Sequence, residues 1–210
     1  MLIICVIAYR LVSTSTPDNL KNYIVKNERI ETAYTELKDD FLIYKLNIRS
    51  PFALGDTMFI DNVYYLESVG NLQFTVRCKN DVMEELISKY NMQVLSPFKY
   101  YLKVSTVKVN DETAETTEAE EVEILDFVLL EDFTVNVFGE NKDRYKYYTL
   151  SFDGVEIDYI KTKVEIYMFL NTETEPVEYD ETKADARVTL FDINMPKDKI
   201  KPEKLLGILE

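Results

Sequence analysis

The chain has 210 residues, 46% of them hydrophobic, and a formal net charge of −14. That length is enough to bury a sizeable core, as one large β-domain or two small ones, and that apolar content excludes a disordered acidic chain. Five Gly, six Pro and no His argue against glycine-dense phosphate loops and remove the side chain best suited to proton transfer near neutrality.

Residues 2–12 read as a first, buried strand. The apolar run from Met1 to Tyr9 has no basic residues before it, is broken by Arg10 and leads to no small-residue cleavage site, so it is not read as a signal peptide. It is also too short to span a bilayer, and synthesis in the cytoplasm is expected. Thr16-Pro17-Asp18 carries a helix-start signature, a hydroxyl N-cap followed by proline. Leu20, Tyr23, Ile24, Ile30, Ala33, Tyr34 and Leu37 follow at near-helical spacing, predicting a helix near 17–37 that is interrupted around Lys26 to Arg29. Phe41 to Arg49 alternates as a strand with Leu42, Tyr44, Leu46 and Ile48 on one face, and Ser50-Pro51 ends it.

Leu54 to Cys78 reads as a β-meander whose hairpin turns fall at Asp61-Asn62 and Gly70-Asn71, residues that tolerate positive φ. A short amphipathic helix is predicted over 80–90 and a strand over 100–109. Asn110 to Glu121, rich in Thr, Glu and Ala, reads as a loop or domain boundary. Val122 to Phe138 is strand-like with a break at Glu131-Asp132. Asp153-Gly154, between Tyr145–Phe152 and Val155–Ile160, is the strongest hairpin signal in the chain. Further strands are expected over 163–170 and 186–193, before a Lys-rich tail punctuated by Pro196 and Pro202. The expected architecture is mainly β: an antiparallel sandwich or barrel-like sheets with one or two short helices. Residues 1–110 and 111–210 form two β-rich domains or one continuous one.

Charge divides the chain sharply. Residues 1–110 hold 13 basic and 12 acidic side chains, and residues 111–210 hold 11 basic and 26 acidic. Such asymmetry speaks of partners and surfaces rather than fold. Asp111, Glu112, Glu115, Glu118, Glu120, Glu121 and Glu123 are the candidate partner-binding residues; their acidic surface reads as a solvated, solubilising face, as a dock for a basic protein or a neighbouring copy, or as a face toward nucleic acid that has to slide past without sticking.

No catalytic set is read. Glu84-Glu85, Glu120-Glu121, Glu131-Asp132 and Asp180-Glu181 are adjacent acids, but two-carboxylate hydrolysis needs a fixed separation and divergent pKa values, and 38 acidic residues supply pairs by chance. Asp111-Glu112 and Asp153/Asp158 are oxygen donors for Ca²⁺ without a calcium-loop pattern. Tyr64-Tyr65, Tyr100-Tyr101 and Tyr145 to Tyr148 could stack bases, but stacking platforms sit in basic grooves. Cys5 and Cys78 read as buried small hydrophobes, though a disulfide between them stays open. No cofactor, metal or enzymatic activity is expected.

Gly55-Asp56, then Ile60-Asp61-Asn62, then Tyr64-Tyr65 resemble the start of the small β-barrel of tailed-bacteriophage connector and tail proteins: a Gly-Asp start, a strand, an Ile-Asp-Asn turn and a Tyr-bearing return strand. The resemblance covers about 16 residues, 54–69. It implies a non-enzymatic virion protein of the neck, connector or tail. Such a protein would be made in the host cytoplasm, assembled with its own copies as a ring and with other virion proteins, and would bind neither a membrane nor specific nucleic acid. The alternative reading is an acidic inhibitor, a DNA mimic that occupies the cleft of a host nucleic-acid enzyme.

Overall fold

In the computed structural model, residues 23–48, 52–53, 58–90, 98–109, 116–126, 129–134, 145–170 and 178–206 are described. The predicted first strand, Cys5, the Thr16-Pro17-Asp18 start and Gly55-Asp56 lie outside them, as do Asp111, Glu112 and Glu115.

Two antiparallel sheets face one another. The first runs in the order β11 (Lys197–Ile200), β1 (Ile43–Leu46), β3 (Met58–Leu66), β4 (Asn71–Lys79), β8 (Tyr145–Asp153), β7 (Leu129–Thr134), with β2 (Phe52–Ala53) pairing the start of β3. The second runs β10 (Ala186–Phe191), β9 (Thr162–Leu170), β5 (Phe98–Val109), β6 (Thr116–Asp126). The chain is therefore mainly β, and neither sheet closes into a barrel. Residues from before and after position 110 share both sheets, through β4 with β8 and β5 with β9.

The core lies between the sheets and follows the two-residue period of each strand. Leu72, Phe74, Val76 and Cys78 of β4 and Tyr148, Leu150 and Phe152 of β8 meet Tyr100, Leu102, Val104, Val164, Ile166, Met168, Val188 and Leu190 from the facing sheet. Phe74 and Phe152 stack with centroids 5.8 Å apart. Cys78 is a free thiol among these residues, pushed up to about 12 chiefly by burial, so it stays protonated and inert.

β4 is buried on both faces. A second apolar cluster covers the outer face of the first sheet near β1: Ile24, Ile30, Phe41, Ile43, Tyr64, Leu66, Val69, Leu205 and Leu206. It is roofed by α1 (Glu28–Leu37) and α3 (Pro202–Leu206), while α2 (Asn80–Tyr90) puts Met83 into the main core. The helix predicted near 17–37 starts, among the described residues, only at Glu28. Asn27, inside the expected interruption, is its cap, and its side chain accepts from the Ile30 N–H at 3.0 Å.

Three turn expectations, one loop and one strand break are corrected. Asp61-Asn62 is not a hairpin turn: β3 runs through it, and the register with β4 shifts between Asp61 and Tyr64, which makes a bulge. Asn62 does adopt the positive φ foreseen for it, 50°. The true β3–β4 turn is longer than two residues, a 3-10 turn over Glu67–Val69 closed by Gly70 at φ 56°. Asp153-Gly154 turns the chain, with Gly154 at φ 78°, but no hairpin follows. Both sides of β8 are already paired, with β4 and β7, so residues 155–160 have no edge to join and cross to the second sheet. Thr116 to Glu121, expected in a loop, belong to β6, and Glu131-Asp132, expected as a break, lie inside β7.

Candidate functional site

The acidic segment forms open sheet edges. β6 ends the second sheet and β7 ends the first, and no strand among the described residues pairs with the outer side of either. Glu121 sits in register with Thr106, and Glu123 with Val104. Glu118 and Glu120 occupy the irregular stretch of the same strand, where the register with β5 shifts around Val107. Glu123 is exposed, and beside it Val122 is 52% exposed although apolar. Residues 116–134 contain seven acidic side chains and no basic one. Of the candidate acids, then, four lie on one edge strand. β-branched Thr and Val positions paired along β5 explain why a Glu/Thr-rich segment is a strand: cross-strand pairing overrides local composition.

A second constellation, missed from sequence, lies on the outer face of the second sheet. Tyr101 and Tyr167 are register partners, and Tyr179 folds back over them and over Phe169, ring edge against ring face at 5.4 to 6.1 Å. Next to it Glu181 accepts from Lys103 Nζ at 2.7 Å and from the Tyr167 hydroxyl at 2.8 Å. Glu165, almost fully buried, is paired with Arg187 at 2.7 Å and Lys163 at 3.0 Å. The hydrogen bond from Lys103, then that from Tyr167, holds Glu181 below the usual carboxylate range. Burial, then the same Glu181 contact, pushes Tyr167 up. Asp180-Glu181 is thus an anchor: its carboxylates are spent on Thr182, Lys183, Lys103 and Tyr167. A carboxylate pulled down by cations is a poor proton donor. The sequence signals for this site were the adjacency of those two acids and, separately, the Tyr100-Tyr101 pair; nothing in the sequence joined them.

Two further clusters flank the first sheet. Lys197 of β11 lies over the rings of Tyr44 and Tyr159, 4.3 Å from the former's centroid, and Tyr159 donates to Glu67. Burial pulls the Lys197 ammonium below its usual value, against the pull of Glu67. On the outer face of β4, Gln73 clasps residue 25: the Val25 N–H donates to its Oε1 at 2.7 Å and its Nε2 donates to the Val25 carbonyl at 2.9 Å. Asn71 extends this chain to Ser151 and Asp153. Arg77 stacks on Phe59 and Tyr145, 4.5 and 5.1 Å from their centroids, beside Asp61.

Burial overturns the stacking candidates. Tyr64, Tyr65, Tyr100, Tyr145, Tyr147 and Tyr148 are buried, and only Tyr101 is part-exposed. Asp153 and Asp158 do not converge: the first binds Asn71 and Arg29, the second its own turn. Among the described residues no three His, Cys, Asp or Glu gather as a metal site, and no helix is long and apolar enough to cross a membrane. No family model, curated protein or solved structure matches this chain.

Proposed function

We propose that the protein is a non-enzymatic structural component of a phage-like virion, of the neck, connector or tail class, which assembles with copies of itself and with other virion proteins through its acidic sheet edges. One observation carries the reading: among the described residues the acid-rich stretch supplies an end strand of each sheet, β6 and β7. A terminal strand presents unpaired backbone N–H and C=O groups, which is a template for adding another strand. Acidic side chains there select a basic partner and repel nucleic acid. The resemblance at 54–69 is one of residue pattern alone: the turn and the Tyr-bearing return strand it implied are not formed, since β3 runs on through Ile60-Asp61-Asn62 to Tyr64, Tyr65 and Leu66.

The same pair of edges favours a second reading. Two rows of acids at the rims of packed sheets are what a DNA mimic presents to a basic cleft. Molar mass by light scattering, followed from low to high salt, separates the two. A discrete oligomer is expected at intermediate ionic strength. A stable monomer that binds no virion component, and that competes with DNA for a nucleic-acid enzyme, would replace the first reading with the second.

A further inference from the structure

We propose that the acidic side of one copy is completed by the basic side of the next, β7 adding antiparallel to β11 in the first sheet and β6 approaching β10 in the second. The inference rests on the self-assembling reading above and names its interface.

Both sheets run in the same sense. β6 and β7 end them on one side and are joined by two residues, 127 and 128; β10 and β11 end them on the other and are joined by residues 192–196. Three Cα steps reach about 10 Å, which matches the roughly 10 Å between packed sheets. The sandwich therefore has two opposite rims, each made of one strand from each sheet. Their charges differ in sign. Residues 116–134 carry seven acids and no base, whereas residues 186–201 carry Arg187, already paired with Glu165 of its own sheet, and Lys197, Lys199 and Lys201 against Asp192 and Asp198. Lys199 and Lys201 are exposed, while Asp198 accepts a hydrogen bond from Asn47 of its own sheet at 3.3 Å.

Strand direction fits as well. Every neighbouring pair along β11-β1-β3-β4-β8-β7 is antiparallel, so six strands leave the two end strands pointing opposite ways. The four-stranded path β10-β9-β5-β6 does the same. A second copy set beside the first in the same orientation thus meets β7 with an antiparallel β11 and continues the alternation. Pairing like edges would oppose like charges, acid on acid or Lys on Lys, which disfavours a two-fold dimer. The contact is head to tail, and a head-to-tail contact closes into a ring or runs on as a filament.

Charge exchange tests this on the full chain. E131K/D132K and K199E/K201E chains are each expected to fall from the wild-type oligomer mass to the single-chain mass, with far-UV circular dichroism unchanged. Mixed one to one, they are expected to regain the oligomer, because each supplies the edge the other needs. A second readout is independent of charge: E131C and K199C chains, mixed and oxidised, should give a disulfide mapped by mass spectrometry between 131 and 199. If the wild type is an oligomer that neither charge pair disturbs, or the two single chains stay apart on mixing and no 131–199 disulfide forms, the edge pairing is overturned while self-assembly stands. A wild-type chain that stays monomeric at every salt concentration overturns both.

Discussion

Asn62 and Gly70 show how single residues aim β3 and β4. Gly70 holds φ 56°, its carbonyl accepts from the Val155 N–H at 2.9 Å, and an added Cβ would meet the Val155 carbonyl oxygen at 3.2 Å. Gly70→Ala is therefore expected to cost about 1–2 kcal/mol in urea unfolding, while Asn62→Gly, at φ 50°, should be tolerated and Asn62→Val should not. Gln73→Leu strands the buried N–H and C=O of Val25, so a loss of about 1–3 kcal/mol is expected, and faster amide exchange at Val25 would locate it. Tyr64 and Tyr147 are pushed up to about 12, by burial in both cases. A raised phenol holds its proton longer in the folded state. Its contribution is whole below pH 10 and is lost as the pH climbs toward 12, each step of one in pH removing about 1.4 kcal/mol. A spectrophotometric tyrosine titration should show a late class ionising together with unfolding. If all 15 tyrosines titrate as one class near 10 while the fold persists, that burial argument fails.

At the scale of elements, alternation made the strands legible and pairing partners stayed hidden. β4, β5, β9, β10 and α2 follow directly from their apolar spacing. The Asp153-Gly154 signal is real as a local turn, yet it fails as a hairpin because β8 is already paired on both sides, a fact settled by distant residues. β11 is read as tail because Lys-Asp-Lys-Ile carries almost no apolar signal; it is a strand because Ile43 to Leu46 pair with it. The segment from Glu178 to Lys183 likewise acquires its place only from Tyr101, Tyr167 and Lys103, far away in sequence. Its anchor is exposed, so Glu181→Gln is expected to cost no more than about 1 kcal/mol. The pH dependence has a definite sign. Glu181 is held below the ordinary carboxylate value, so its contribution is present above that range and is lost as pH falls through it. Limited proteolysis near 178–183 should accelerate on acidification in the wild type and be already fast, and pH-insensitive, in E181Q.

For the whole molecule, the charge split in the sequence becomes a split between two rims. The candidate acids were legible as a cluster, but their role as edges was not, because an edge is defined by the strands that are missing beside it. Head-to-tail pairing of an acidic rim with a basic one has an electrostatic consequence that self-association through an apolar face lacks. Screening shortens the reach of exposed charges from about 10 Å at 0.1 M salt to about 3 Å at 1 M. The attraction between rims should fade over that interval, and so should the repulsion between the chains' overall negative charge, −14 per copy. The two effects oppose each other over different distances: rim charges lie within one strand spacing, about 5 Å, whereas the remaining acids are spread over the whole surface and repel only where the screening length is long. At low salt the long-range repulsion disfavours the assembled state, and at high salt the rim contact weakens, so assembly is expected to peak at intermediate ionic strength. Sedimentation across a salt series would read this directly. A monotonic rise in mass with salt would instead point to an interface held by apolar burial, with Val122 and Ile160, at 52% and 58% the most exposed large apolar side chains among the described residues, as the first residues to substitute.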